Sequence, residues 1–281
     1  MSVTIACALQ QAKEALAGGE SPATDAKVLL AHVLGQTQTW LYTWSDKVLK
    51  DEELNRFRQL ISERKTGRPV AHLTGNRDFW TLTLNVNPAT LIPRPETELL
   101  VEKALELLPS EPCNVCDLGT GTGAVALALA SERPDIQVTG TDRIEEAVDL
   151  AKQNAALNHI TNVSFIVSHW FDALKDKQFD MLVTNPPYVE SDSHYLQQGD
   201  VRFEPLSALT AGEDGLDDIR LIISQASVCL KSGGWLLIEH GSEQGGAIRG
   251  LFNDSGYTMA NTFADLAGLD RITIAKRPAC E

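Results

Sequence analysis

The stretch DLGTGTGAVALALA, residues 117–130, decides the fold of this 281-residue chain. An apolar run ends at Leu118, three glycines then alternate with threonines, and a run of alanine, valine and leucine follows. A strand that passes through a glycine loop into a helix is typical of the first turn of a doubly wound sheet. A G-x-G-x-G loop by itself also fits a plain strand-to-helix turn, so the surrounding sequence has to decide.

After Pro112 the chain alternates strand-like and helix-like segments, as a mostly parallel sheet requires. The predicted strands are NVCDLG, IQVTGTD, VSFIVS, FDMLVTN and WLLIEHG, and the segments between them, FDALK included, are predicted helices. A last pair, YTMANTF and DRITIAKR, is predicted to close one edge. We therefore expect an α/β fold with helices on both faces of the sheet.

The sequence before this sheet predicts a small helical bundle. SPATDAKVLLAHVLG has an N-cap at Ser21 and a stop at Gly35, and KDEELNRFRQLISERKTG is amphipathic over its length. The aromatic side chains of Trp40, Tyr42 and Trp44 are interpreted as bundle core. The alternating segment DFWTLTLNV that follows predicts a strand or hairpin between two domains.

Charge and composition narrow the classes of function. The net charge is −14, and it is concentrated after residue 75: residues 1–75 carry nine basic and eight acidic side chains. A polyanion is bound by clustered Lys and Arg, so the acidic remainder is a poor nucleic-acid surface. With no basic leader and no apolar run of ~20 residues, we expect a soluble cytoplasmic protein.

Five cysteines, an odd number, argue against a disulfide framework. Cys113 and Cys116 form a C-x-x-C in a predicted strand, where positions three apart point to opposite faces. We therefore expect buried, unpaired thiols and no metal site.

The glycine loop has an acidic partner at the distance expected for a nucleoside cofactor. The loop glycines are Gly119, Gly121 and Gly123, and Asp142 ends the next strand nineteen residues after the last of them. An acid in that position holds ribose hydroxyls in doubly wound folds. Asp117, two residues before the first glycine, would repel a pyrophosphate but suits an ammonium group. This combination favours S-adenosylmethionine as the cofactor.

The segment NPPY, at the end of the fourth strand of the predicted sheet, provides acceptors without competing donors. The side-chain oxygen of Asn185 and the carbonyl of Pro186 can take the two N–H bonds of a planar amino group, since prolines have no N–H to donate. Tyr188 offers a flat face for stacking. An isolated Asn-Pro also fits an ordinary turn, but its place after a predicted strand and the glycine loop favours methyl transfer to nitrogen.

With these motifs the sequence resembles the release factor glutamine methyltransferases of bacteria. The resemblance runs through AKVLLAHVLG, GRPVAHLTG, LIPRPETE, DLGTGTG, NPPY, FEPLSALTAGEDGL and EHG, which is nearly the whole chain. It implies a helical N-terminal domain before a Rossmann-like methyltransferase domain. It also implies methylation of the side-chain amide nitrogen of glutamine in the Gly-Gly-Gln motif of class 1 release factors.

The resemblance further implies domain bounds and residue roles. The domains are 1–73, a helical bundle for release-factor recognition; 74–92, a hairpin linker; and 93–281, the methyltransferase domain. The implied cofactor residues are Gly119, Thr120, Gly121, Thr122, Gly123, Asp142, Trp170 and Asn185, and the implied glutamine-binding residues are Asn185, Pro186, Pro187 and Tyr188. The chain departs from the expected family pattern at His169, where an aspartate is expected, and at Leu266, where an aromatic residue is expected.

Three other functions stay open at this point. A glutamine methyltransferase of a large-subunit ribosomal protein would share the catalytic motifs. An enzyme that methylates the exocyclic amine of adenine in nucleic acid would share NPPY, but the acidic charge after residue 75 disfavours it. A non-catalytic cofactor-binding subunit would have no need of the two acceptors in NPPY.

Overall fold

The computed structural model of the protein describes residues 2–279, and the chain divides into two compact units. The smaller unit comprises the residues up to Asn76 together with Gln197–Phe203. The larger unit comprises Arg77–Leu196 and the residues from Glu204 onward. Each unit has a hydrophobic core of its own.

The smaller unit is a bundle of helices, as the sequence predicts. Its helices are α1 (Ile5–Ala15), α2 (Pro22–Leu34), α3 (Gln38–Thr43), α4 (Asp51–Lys65) and α5 (Val70–Thr74). Helix α2 begins after Ser21 with proline in its first turn and ends at Gly35 in the left-handed conformation, which confirms both predicted ends. Its neighbours α1 and α4 pack against it around leucine, isoleucine and Phe57.

The prediction that Trp40, Tyr42 and Trp44 fill the bundle core is wrong for two of them. Trp40 packs partly buried against the core, but Tyr42 is 64% and Trp44 53% exposed. Helix α3 has only six residues, so one side chain, Leu41, suffices to cover its inner face. Two large aromatic side chains are therefore exposed on the smaller unit.

The segment Gln197–Phe203 is held within the smaller unit by an ion-pair network. Arg64 donates through Nε to Asp25 at 2.7 Å and through Nη1 to Asp200 at 2.8 Å. All three side chains are at least half buried, with Arg64 and Asp25 little exposed. A segment that lies between NPPY and FEPLSALTAGEDGL in the sequence thus belongs structurally to the bundle.

Over residues 77–196 and 204–279, the larger unit contains a hairpin, five further α-helices and a seven-stranded sheet. The hairpin is β1 (Asn76–Phe79) and β2 (Leu82–Asn85), and the helices are α6 (Glu98–Leu107), α7 (Ala124–Glu132), α8 (Glu145–Leu157), α9 (Asp217–Gln225) and α10 (Gly245–Asp254). The sheet strands are β3 (Asn114–Leu118), β4 (Gln137–Asp142), β5 (Val163–Val167), β6 (Phe179–Thr184), β7 (Leu230–Glu239), β8 (Thr258–Ala264) and β9 (Asp270–Lys276).

The sheet order is β5-β4-β3-β6-β7-β9-β8, with β3 to β7 parallel and the last pair antiparallel. This confirms the predicted α/β class and the edge formed by the last two strands. Strand β3 lies between β4 and β6, so the strand order reverses there. At its end Leu118 pairs with Thr141 on one side and Thr184 on the other. Ligands bind such sheets at this crevice, beyond the carboxyl ends of the strands.

Two apolar clusters cover the two faces of the sheet. Cys113 is buried in the cluster that includes α6, α7 and α8, and Cys116 is buried in the cluster that includes α9 and α10. Both thiols are free, and burial raises the pKa of each. The prediction of two buried, unpaired thiols on opposite faces is confirmed.

The helix predicted at FDALK is absent, and residues 169–176 form turns instead. Trp170 has a φ of 47°, which interrupts right-handed helix at the start of the segment. The hydroxyl of Ser168 donates to the carbonyl of Trp170 and accepts from the amide of Ala173, so side-chain bonds replace the helical ones. The turn leaves the Trp170 ring at the end of β5, beside the glycine loop.

The hairpin is bonded directly to helix α8. The fully buried side chain of Asn154 accepts from the amide of Asn85 at 2.7 Å, and its Nδ2 donates to the carbonyls of Asn85 and Thr122. One side chain therefore joins the hairpin, α8 and the turn before α7.

Within residues 2–279, no helix combines the length and the apolar character needed to cross a membrane. No group of three acidic, histidine or cysteine side chains in that range is arranged to share a metal ion.

Candidate active site

The glycine loop connects β3 to α7 and is tied to the end of β4. The amide of Thr120 donates to the carbonyl of Thr141 at 2.7 Å, and the amide of Gly121 donates to Oδ2 of Asp142 at 2.9 Å. These bonds hold the loop across the carboxyl ends of two neighbouring strands. The loop consequently lines the crevice that the strand order creates.

Backbone conformation favours glycine at two positions of the loop, because Gly119 and Gly123 have positive φ, 73° and 83°. Close packing also requires glycine at the second position: a Cβ atom on Gly123 would stand 3.1 Å from Ala151 and 3.2 Å from Leu127. A Cβ atom on Gly119 would stand 3.4 Å from the Trp170 ring, an ordinary contact distance. Gly119 therefore lies against the aromatic ring, whereas Gly123 precedes α7 and faces the core.

The side chain of Asp117 fixes the conformation of the glycine loop. Its Oδ2 accepts from the Thr120 hydroxyl at 2.6 Å and from the amide of Ala126 at 3.2 Å. Burial raises the pKa of this carboxyl to about 6, although the bonds from Thr120 and Ala126 oppose the shift and the nearby charge of Asp142 adds to it. The predicted contact of Asp117 with an ammonium group stays a prediction, but its part in fixing the loop is visible.

Asp142 uses both carboxylate oxygens for backbone bonds. Oδ2 accepts from Gly121, and Oδ1 accepts from the amide of Ile144 at 3.0 Å. Each carboxylate oxygen can accept a second hydrogen bond, so the group is oriented and still able to hold two hydroxyls. This is the geometry that a ribose-binding acid needs.

Trp170 forms a wall beside the loop. Its indole nitrogen donates to Oδ1 of Asp218 at 3.3 Å, and its ring packs partly buried against one core cluster. His169 is exposed at the rim, as expected for a loop residue. Asp218, in the first turn of α9, supplies a carboxylate near His169, where the resemblance leads us to expect an aspartate. Burial raises the Asp218 pKa, and the bond from Trp170 opposes the shift.

The NPPY segment, residues 185–188, follows β6 at the same edge of the sheet. Asn185 is half-buried and donates through Nδ2 to the Thr97 hydroxyl at 3.2 Å, while Pro186 is buried. The amide of Tyr188 donates to the carbonyl of Leu209 at 3.1 Å. Burial raises the pKa of the Tyr188 hydroxyl, and the charge of Glu239 acts in the same direction.

One cavity brings most of the predicted residues together. It opens at the carboxyl ends of β3, β4 and β6, and the predicted site residues that line it are Gly119, Thr120, Gly121, Thr122, Asp142, Trp170, Asn185 and Pro187. Gly123, Pro186 and Tyr188 are not part of its lining. The roles of all these residues in binding remain predictions. Within the lining, Asp142 can accept hydrogen bonds from hydroxyls and Trp170 offers a flat surface. This suits a ligand that carries both hydroxyl groups and a planar ring.

Several residues that line the cavity are not predicted from the sequence. Thr90 lines the cavity with a buried hydroxyl that has no partner among the described residues, which suits a polar ligand. Thr97 and Asp218 also line it. They come from LIPRPETE and from helix α9, far from the glycine loop in sequence. Only the quoted family segment LIPRPETE gave any signal for Thr97.

The fold is shared with methyltransferases of known structure, and a family profile identifies the class. A methyltransferase from Pyrococcus furiosus superimposes with a TM-score of 0.54 at 18% identity, over 80% of this chain and 98% of that one. A 16S rRNA methyltransferase from T. thermophilus, in complex with AdoMet and guanosine, gives 0.55 at 20% identity, over 72% and 49%. A family profile described as methyltransferase domain matches residues 109–267. The protein is a class I methyltransferase.

Sequence relatives define the family within this class. A profile described as PrmC N-terminal domain matches residues 7–75. The release factor glutamine methyltransferase of Vibrio cholerae is 50% identical over 98% of both chains, and that of Escherichia coli is 49% identical over 95% of this chain and 97% of its own. The chain therefore belongs to the release factor glutamine methyltransferase family, as its motifs predict.

Proposed function

We propose that the protein methylates the side-chain amide nitrogen of the glutamine in the Gly-Gly-Gln motif of class 1 release factors, with S-adenosylmethionine as methyl donor. The observation that carries this proposal is the position of Asn185 on the cavity wall. Its side chain is held through Nδ2, so Oδ1 is the end available to a substrate N–H. The family to which the chain belongs supplies the substrate class.

The residues of the cavity fit the proposed cofactor. Gly119 to Thr122 would lie against its amino-acid end, Asp142 would accept from the ribose hydroxyls, and Trp170 would lie against the adenine, with Asp218 beside it. The unpartnered Thr90 hydroxyl offers a further polar contact. When bound, S-adenosylmethionine would supply a methyl group on a positively charged sulfur and would leave as neutral S-adenosylhomocysteine, and the methylated nitrogen would release one proton to water.

The chain's own part in the reaction is to orient a weak nucleophile. An amide nitrogen has its lone pair delocalised into the carbonyl, so it attacks poorly in water. Hydrogen bonds from its two N–H groups to Asn185 Oδ1 and to the Pro186 carbonyl would fix the nitrogen and stabilise positive charge that develops on it. Pro187 lines the cavity and adds no donor, and Tyr188 would provide a flat surface for the amide.

The smaller unit, which is helical and is called the helical unit below, is proposed to recognise the release factor. It carries nearly balanced charge, whereas the rest of the chain is strongly acidic, and it exposes Tyr42 and Trp44. Large amphipathic aromatic residues are enriched at protein interfaces. Because release factors act in translation, the proposed place of action is the cytoplasm, and no direct contact with nucleic acid is proposed.

Methyl mapping tests the proposal against its rivals. The protein is incubated with S-adenosylmethionine and purified class 1 release factor, and in parallel with ribosomal proteins and with DNA; the products are digested and analysed by mass spectrometry. We expect one methyl group on the glutamine of Gly-Gly-Gln and none in the other arms. A methyl group confined to a ribosomal protein or to adenine would instead support the corresponding rival.

A further inference from the structure

Two of the segments that carry the family resemblance, LIPRPETE and EHG, come together next to Asn185. Neither segment has a role in the function proposed above. Thr97 precedes helix α6 and is 4% exposed; Glu239 ends β7 and is 2% exposed. In the parallel pairing of β6 with β7, Thr184 lies beside Ile238, so the next residues, Asn185 and Glu239, are neighbours on the same side. Among residues 2–279, Glu239 forms no salt bridge, and a buried carboxylate of this kind beside a site residue needs an explanation.

Donors and acceptors can be assigned in the cluster formed by Thr97, Asn185 and Glu239. Asn185 donates through Nδ2 to the Thr97 hydroxyl at 3.2 Å, so Thr97 is the acceptor there and has its own proton to give. The carboxyl of Glu239 interacts with the side chains of both Thr97 and Asn185. Its Oε2 is buried and has no hydrogen-bond partner among the described residues. A carboxylate can only accept, so it attracts N–H and O–H groups and repels an amide oxygen.

We propose that Thr97 and Glu239 are positioning residues that hold the Nδ2 end of Asn185, so that Oδ1 is the end presented to the substrate amide. The inference rests on the proposed function, because it explains how the acceptor used in that function is oriented. If the amide group of Asn185 were turned by half a rotation about its Cβ–Cγ bond, Oδ1 would face the Glu239 carboxylate, which can only accept hydrogen bonds. It would also point a donor, Nδ2, at the substrate amide, where an acceptor is required.

The orienting effect depends on the ionisation of Glu239. Burial raises the pKa of this carboxyl to about 7, whereas hydrogen bonds from Thr97 and Asn185 and the charge of Arg271 lower it and Glu96 raises it. The Tyr188 hydroxyl also faces this carboxyl and stays neutral in the same range. Above pH ~7 the group is an acceptor only. Below it the group carries a proton, can donate to Oδ1, and no longer selects one orientation of Asn185.

Three variants of the full chain test the proposal, and each preserves shape. Thr97→Val removes the hydroxyl, Thr97→Ser restores it, and Glu239→Gln replaces an acceptor-only group by one that can also donate. We expect Thr97→Val to lower kcat about tenfold with little change in KM for the release factor, and Thr97→Ser to recover most of that loss. Glu239→Gln should fold, since it removes a buried charge, and should also lower kcat.

The pH profile separates positioning from plain structural support. The wild-type kcat should fall as pH decreases through about 7, whereas Glu239→Gln should be low and flat over that range. A Glu239→Gln variant with wild-type kcat and the same acid limb would overturn the proposal, as would a Thr97→Val variant with unchanged kcat.

A measurement that needs no methyl transfer keeps this inference distinct from the proposed function. In NMR spectra of the free protein, the side-chain NH2 resonances of Asn185 should titrate with the Glu239 carboxyl near pH 7 and lose this titration in Glu239→Gln. Resonances that are insensitive to pH in the wild type would overturn the inference even if the release factor is methylated. A clear titration together with an unmethylated release factor would instead contradict the proposed function and leave the orientation of Asn185 established.

Discussion

At the scale of single residues, the account depends on whether Asn185 acts as an acceptor in the reaction. It lines the cavity together with Asp142. The two side chains have different proposed tasks: Asn185 would orient the amide to be methylated, and Asp142 would hold the ribose. A change at either position should therefore alter a different measured quantity.

Replacement of Asn185 by alanine should mainly reduce turnover. The substrate amide loses one acceptor, and an unpaired hydrogen bond at a reacting group costs about 1–3 kcal/mol, or roughly ten- to a hundredfold in kcat. Steady-state kinetics with release factor measure the effect, while calorimetry should show nearly unchanged cofactor affinity. Asn253→Ala, an exposed asparagine on α10, is the matched control. Unchanged turnover in Asn185→Ala would refute the role.

Replacement of Asp142 by alanine should weaken cofactor binding about ten- to a hundredfold. The variant loses the acceptor for ribose hydroxyls and also the bond that fixes Gly121. Calorimetric titration with S-adenosylhomocysteine measures this. Asp149→Ala, on the exposed side of α8, should bind normally. Equal affinities of the two variants would count against the ribose contact.

The residue scale also shows what a sequence can and cannot predict. Asp142 follows the glycine loop at a spacing set by one β-α-β unit, so local pattern suffices to find it. Thr97 and Glu239 meet Asn185 only through the tertiary fold, and Thr97 and Asn185 are 88 positions apart in sequence. Asp218 is equally remote. Such residues carry no periodic signal, because their position depends on how distant segments pack.

At the scale of elements, the regular strands and helices follow from the sequence, and the exceptions have local causes. The alternation after Pro112 predicts the five parallel strands and the final pair of edge strands correctly. The segment FDALK forms turns because Trp170 has a left-handed backbone and Ser168 caps the turn through its side chain. Helix α3 is too short to bury more than Leu41, which leaves Tyr42 outside.

One side chain, Asn154, has a larger structural effect than its position within α8 suggests. Asn154→Leu keeps the volume of the side chain but leaves three backbone groups of the hairpin and the α7 turn unpaired. We expect the free energy of unfolding to fall by roughly 2–5 kcal/mol, measured by urea denaturation followed by circular dichroism. Gln153→Leu, an exposed change on the same helix, serves as control. Equal stability of the two variants would contradict this reading of the hairpin.

At the scale of the whole molecule, the uneven charge and the two units suggest a division of tasks. The catalytic cavity lies entirely within the larger unit, and the proposed recognition of the release factor lies in the helical unit. The segment Gln197–Phe203 belongs to the helical unit although it follows NPPY in sequence. Truncation of the bundle would remove the partners of Asp200, so point changes in the full chain are the cleaner test.

The double variant Tyr42→Ala, Trp44→Ala should raise KM for intact release factor about tenfold or more while kcat and cofactor affinity stay the same. Both side chains are exposed, so their truncation removes binding surface at little cost to folding. The matched control truncates two exposed apolar residues of the larger unit, Met259→Ala and Leu266→Ala. If KM is unchanged in the first pair, or raised equally in both, the helical unit does not recognise the release factor through these residues.

The most direct measurement is a structure of the full chain with S-adenosylhomocysteine and a glutamine-containing release-factor peptide. The account predicts that the glutamine nitrogen lies within hydrogen-bonding distance of Asn185 Oδ1 and the Pro186 carbonyl, and that it faces the cofactor sulfur across a gap that fits one methyl group. A bound peptide whose glutamine lies away from Asn185, or an Asn185 that presents Nδ2 to it, would contradict the account.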